Sequence, residues 1–306
     1  MNSTLIQMTL IMVCGAAWRF AKPAGLSAEQ TRQVLTTVVY YLLLPAMVLE
    51  VLWSADIGLH SFQYAWLGMG SIIAAMLCLW VIGALFRFDD RRLGAMILAA
   101  AFPNVTYLGL PVLEQAFGSW ARSVAIQMDL FAATPLLFTI GVIVARHYGE
   151  ETAKSPRPVW LFFHAPPFWA AAAAVILNIN GVVAPVWLLG VLQKLSAGVV
   201  PLMLFSLGLA LSWKALTVRN IPYIIPVAVI KMAVMPLLAM ILVGFLPITG
   251  EYREAAVLDL SMPSMVLGIV FCDRYRLDSS LYAMAVTVTT AISLIALPFW
   301  HSVLQQ

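Results

Sequence analysis

Charge is scarce in this chain. Asp, Glu, Lys and Arg make up only 10% of its 306 residues, while 62% are hydrophobic. A soluble domain of this length has no core large enough to hide so much apolar surface, so an ordinary water-soluble fold is excluded. Cysteine is nearly absent. Cys14, Cys78 and Cys272 lie in or near apolar runs, at spacings that suit neither a disulfide framework nor a metal site. His60, His147, His164 and His301 are scattered without ligand-like spacing. No Walker loop, HExxH or defensible Ser-His-Asp spacing is present, so an enzyme is not expected, and neither is a resident cofactor or metal. The net charge of +3 is small, and no nucleic-acid partner is expected.

What the chain has is long apolar runs. About twenty apolar residues cross the hydrocarbon of a bilayer. The runs predict ten spans: Thr4–Trp18, Val34–Trp53, Tyr64–Leu85, Leu93–Phe117, Trp120–Val144, Trp160–Leu177, Val186–Ser212, Ile221–Leu246, Ala255–Phe271 and Ser280–Trp300. The first run lacks a basic start and reads as a span rather than a cleaved signal. With the N-terminus outside, about thirteen of the seventeen Lys and Arg fall in inner loops. Cytoplasmic loops are enriched in these residues, so both termini are expected outside an inner (cytoplasmic) membrane.

The two halves repeat. Gly25 and Pro45 match Gly181 and Pro201 at one offset, and LPAMVL (Leu44–Leu49) lies over VPLMLF (Val200–Phe205). A unit of five spans that repeats must enter the membrane the other way round. The expected fold class is therefore an all-α membrane protein of ten transmembrane helices. It is built as two inverted five-helix repeats, with broken, crossing helices 4 and 9. Residues 1–147 form the first repeat, 148–158 a cytoplasmic linker and 159–306 the second repeat.

The breaks are read from proline. AAAFPNVTYLGLP (Ala99–Pro111) puts Pro103, Asn104, Thr106 and Tyr107 inside an apolar run. AAVLDLSMPSMVLGIVF (Ala255–Phe271) puts Asp259, Ser261, Pro263 and Ser264 in another. Proline removes a backbone donor and clashes with the carbonyl four residues back. Broken backbone survives at membrane depth only where protein or a water-filled cavity receives it. Paired interruptions in two halves point to a transporter's binding site. The positive helix ends and the Asn104 amide then suit an anion. Hydroxyls of Thr106, Tyr107, Ser261 and Ser264 serve either the ligand or the freed backbone.

Three ionisable residues lie deep: Asp129, Lys231 and Asp259. Each costs about 2.5–3.5 kcal/mol at a span centre. They are expected to form either a structural ion pair of Lys231 with Asp129 or Asp259, or a site for a coupling H+ or Na+. Small residues at Ser206, Gly208, Ala210 and Ser212, and the run Ala170–Ala174, predict close helix packing.

FPN at Phe102–Asn104, GLP at Gly109–Pro111, PLMLFSLGLAL at Pro201–Leu211 and MPSMVLGIVFCDRYRLD at Met262–Asp278 together resemble the auxin efflux carrier family. This family includes bacterial relatives of the PIN-FORMED carriers, and the likeness covers nearly the whole chain. It implies inverted repeats with a crossover of spans four and nine. It also implies a scaffold of spans 1, 2, 6 and 7 and a moving bundle of spans 3–5 and 8–10, as in an elevator mechanism. Asn104 matches the family's crossover asparagine, and Pro103 and Pro263 its paired prolines. Family substrates are small organic acids, such as malate and malonate in bacteria and auxin in plants. Ser264 and Met265 depart from the plant pattern. The long central loop of many plant members is missing.

The leading expectation is a secondary carrier of a small organic anion in the lipid bilayer, with a homodimer left open. The alternatives are a cation-coupled carrier of the bile-acid-symporter type and a membrane sensor module.

Overall fold

A computed structural model describes residues 2–55, 58–150, 165–210 and 217–305. Most of the 148–158 linker, together with Trp160, His164 and Ser212, lies outside the described residues. The described chain is helical and has no strands. Six helices are long and apolar enough to cross a membrane: Ala28–Trp53, His60–Phe86, Ser119–Tyr148, Val186–Ala210, Val218–Val243 and Ser279–Leu304. At 1.5 Å per residue, 25 or more residues reach about 38 Å, longer than the hydrocarbon thickness. Leu10, Trp66, Leu77, Trp80, Ile143 and Ile295 stand exposed on the outer surface. Such a belt is unfavourable against water and at home against lipid.

We label the helices in chain order. α1 is Asn2–Ala21, α2 Ala28–Trp53 and α3 Leu59–Phe86; α4 is Asp90–Ala101, α5 residues 105–117 and α6 Ser119–Tyr148. α7 is Pro166–Ile179, α8 Val186–Ala210 and α9 Val218–Val243; α10 is Gly250–Leu260, α11 Gly268–Arg274 and α12 Ser279–Leu304. The fourth expected span is thus α4 and α5, broken between them. The ninth is α10 and α11, broken likewise.

Two sets of packing contacts stand out. α1 lies along the second half of α8, and α7 along the second half of α2. The first contact is backbone to backbone. A methyl group on Gly15 would strike the Phe205 carbonyl, and one on Gly208 the Met12 carbonyl. Only glycine allows that approach, the usual currency of helix packing in lipid. Ala171 and Ala174 of α7 are buried in the second contact. In the other set, α3 packs on α4 and α9, α4 on α6 and α12, and α9 on α12.

Wide turns interrupt several helices. Five-residue π-helical stretches occupy Val39–Leu43, Val105–Gly109, Asp129–Ala133, Leu137–Gly141 and Ile230–Val234. Four of the five are followed, two residues later, by a proline: Pro45, Pro111, Pro135 and Pro236. The cause is the ring's clash with the carbonyl four residues back, which pushes bonding to the fifth. Leu44, Leu110, Thr134 and Met235 each donate their N–H to the carbonyl five residues earlier.

At one end of the bundle, charged loops meet. Glu150 pairs with Arg91 and with Arg276, the latter at 3.1 Å, and Arg92 lies 3.6 Å from Asp278. Arg92 also packs its guanidinium over Tyr223. The two guanidiniums hydrogen-bonded to Glu150 hold its carboxyl below the usual Glu range.

Candidate functional site

The two breaks meet. Pro103 and Ser264 form an antiparallel bridge. The Asn104 N–H donates to the Pro263 carbonyl at 2.8 Å, and the Met265 N–H to the Phe102 carbonyl at 2.9 Å. Each break thus heals the backbone groups that the other's proline has freed. This is how irregular backbone becomes tolerable at depth. α12 completes the repair: Thr289 Oγ1 accepts from the Ser264 N–H at 3.1 Å, and the Tyr282 hydroxyl donates to the Met265 carbonyl at 2.6 Å.

With the backbone repaired, the side chains can be assigned. Asn104 is 1% exposed, and its Nδ2 has no hydrogen-bond partner. Its own carbonyl accepts from Gly109 at 2.9 Å, closing the wide turn that opens α5. Ser264 Oγ is buried and likewise without a partner. Ser261 is different: its hydroxyl donates to the Val257 carbonyl at 2.8 Å, so it serves the end of α10. Thr106 donates to Asp129 Oδ2, and Thr134 to Asp129 Oδ1 at 2.6 Å. Tyr107 lies on the wall of a cleft of about 300 Å³ that is also lined by Arg32 and Gln33 of α2 and Ser206 of α8.

The deep charges do not close into an ion pair at hydrogen-bonding distance. The Lys231 ammonium approaches Met235 Sδ at 2.9 Å. Asp259 is fully buried, and neither of its oxygens has a hydrogen-bond partner. Its carboxylate presses against α5 at Gly109, where a methyl group would collide with Oδ1. Asp129 is bound by two hydroxyls rather than by the lysine.

The structure therefore brings Pro103, Asn104, Pro263 and Ser264 together at the bridge, with Asp259 beside the following turn. It sets Thr106 and Asp129 apart as a hydroxyl–carboxylate pair. Sequence reasoning missed Thr134, Thr289, Tyr282 and Gly109. Thr134 had a signal: it precedes Pro135 and stands five residues after Asp129, the spacing a π turn brings into line. Thr289 and Tyr282 had none, because only the tertiary fold lays α12 against the second break. Among the described residues, no cluster of three or more His, Cys, Asp or Glu could hold a metal ion.

Comparison with known proteins finds membrane transporters along the whole chain. A family profile described as "Membrane transport protein" matches residues 3–161 and 155–301. An uncharacterized transporter of Methanothermobacter thermautotrophicus is 28% identical over 309 residues, covering 99% of this chain and 98% of the relative. An uncharacterized transporter of Methanocaldococcus jannaschii is 28% identical over 317 residues, with the same two coverages.

Proposed function

Because this chain belongs to the membrane transport protein family, the auxin efflux carrier family that its motifs resemble, we propose that it is a secondary carrier of a small organic anion. It is an integral membrane protein with several apolar helices. In this reading the ten spans form two inverted repeats. α1, α2, α7 and α8 are the scaffold, and α3–α6 with α9–α12 the bundle that moves in an elevator cycle. Both termini face outside, and the 148–158 linker faces the cytoplasm.

One observation carries the reading. A bridge of two broken helices leaves a buried amide donor, Asn104 Nδ2, with no partner. A buried donor left unmade costs about 1–3 kcal/mol, so the site is poised for an acceptor such as a carboxylate. Pro103 and Pro263 hold the geometry, and Ser264 Oγ offers a second free group. Tyr107, three residues on, stands on the wall of the cleft. Thr106 and Ser261 support the site through Asp129 and α10.

Asp259 favours a cation-coupled form of this carrier. A buried carboxylate with two unpartnered oxygens beside an anion site is compatible with anion binding only when a proton, Na+ or Lys231 compensates it.

The test is carboxylate binding by calorimetry and uptake into proteoliposomes. Asn104→Ala keeps the break and removes the donor, which lowers affinity roughly ten- to a hundredfold, or about 1.5–3 kcal/mol. Asn104→Asp, nearly isosteric but negative, lowers it further. Wild-type affinity in both variants would sink the assignment.

A further inference from the structure

A second cavity, of about 250 Å³, lies at the opposite end of α2 from Arg32. Eighteen residues of helix separate Arg32 from Glu50 on its wall, roughly 27 Å at 1.5 Å each. The cavity differs from the Asn104 amide in character, because it offers acceptors. Glu50 Oε2 and Gln127 Oε1 are buried without hydrogen-bond partners, in residues only 7% and 1% exposed. The Gln127 amide nitrogen is used: it donates to Ser123 Oγ at 2.7 Å, which leaves the oxygen free.

Two carboxylates share one cation at this wall. Arg122 lies 3.5 Å from Glu50 Oε1 and 3.6 Å from Glu114 Oε1. One guanidinium shared by two carboxylates leaves one negative charge over. His60, Tyr64, Trp120 and Tyr252 add aromatic rings to the wall. The Tyr252 ring centroid is 4.6 Å from that of Trp120 and 5.6 Å from that of His60, whose ring it parallels within 4°.

A spare carboxylate oxygen, a spare amide oxygen and aromatic faces are together what an ammonium group requires. The oxygens accept its N–H bonds, and the rings attract its charge. A bare divalent metal is a poorer fit, since it seeks several carboxylate or imidazole ligands at once. We infer that this cavity is a binding site for a small organic ammonium, held by Glu50, Gln127 and the Trp120 and Tyr252 rings. It is separate from the anion site at the crossing and stands whether or not that site carries carboxylates.

The experiment uses the full chain in detergent, in potassium phosphate buffer free of amines. Methylammonium chloride and, separately, sodium chloride are titrated by calorimetry. Methylammonium should bind saturably to the wild-type protein. The affinity should fall about tenfold or more in Glu50→Gln, which keeps the shape and removes the charge. Gln127→Leu should weaken it by a similar factor and leaves the Arg122 contacts in place, so it carries the test if Glu50→Gln does not fold. No saturable methylammonium binding, unchanged affinity in Gln127→Leu, or sodium binding as tightly as methylammonium would each overturn the assignment.

Discussion

The break between α4 and α5 and the break between α10 and α11 meet at one backbone bridge, yet they are held in opposite ways. The second is fastened from outside, by Thr289 and Tyr282 of α12. The first is fastened by the second break and by its own wide turn, through Pro263 and Gly109. The polar side chain at the first break is therefore left over. The nearby carboxylates differ in the same sense. Asp129 has both oxygens engaged by threonines, whereas Asp259 has neither engaged. One half of the crossing is thus chemically finished around its carboxylate and open at its amide. The other is finished at its backbone and open at its carboxylate and at the Ser264 hydroxyl.

The comparison can be broken at its charges first. Lys231 is the fully buried cation nearest in role to Asp259. Lys231→Met should cost about 3–5 kcal/mol, because a buried carboxylate then has no cation to face. The loss should appear in melting of the purified protein. Adding Asp259→Asn should restore most of it, while adding Asp129→Asn should not. Rescue by Asp129→Asn instead would reverse the roles given to the two carboxylates.

A smaller effect is expected at Gly109→Ala. The new methyl group meets Asp259 Oδ1 in a packed interior, which costs about 1–3 kcal/mol. Asp259→Ala in the same chain should relieve it. A silent Gly109→Ala would show that α5 and α10 are not in close contact.

Next comes the fastening by α12. Thr289→Val keeps the shape but leaves the Ser264 N–H buried without an acceptor, at a cost of about 1 kcal/mol or somewhat more. Thermal unfolding measures this directly, and Thr289→Ser should recover the bond. No change in Thr289→Val would mean the second break needs no outside support.

The smallest effect is expected at the exposed Glu150 cluster. Its carboxyl titrates below the usual Glu range, so its contribution to stability is present at neutral pH and lost as pH falls through that lowered value. Solvent screens such a pair, so Glu150→Gln should leave the melting temperature at pH 7 nearly unchanged. A marked drop would assign the loops at this end a holding role.

How much of this could be read beforehand follows from physics. Six long apolar helices were legible because lipid demands long apolar runs, and both breaks because Pro103 and Pro263 come with polar neighbours inside such runs. The partners were not. Nothing in sequence spacing links Thr106 to Asp129, or Ser264 to Thr289, since these bonds depend on how helices rotate against each other. The expectation that Lys231 would sit directly on a carboxylate rested on cost alone. The structure finds a neighbouring thioether within reach instead.

That rotation has a source. A wide turn carries one residue more than an α turn, and each added residue advances the angular phase by about 100°. α6 carries two such turns, Asp129–Ala133 and Leu137–Gly141, so its far end is out of phase with its beginning by roughly 200°. A stripe spaced for an unbroken α-helix would drift away from the bundle along this span, and Pro135 is the local mark of the first change. Deleting a single residue from either turn would therefore act at a distance. It would spin every later side chain of α6 through a quarter circle or more and leave the span only one residue shorter.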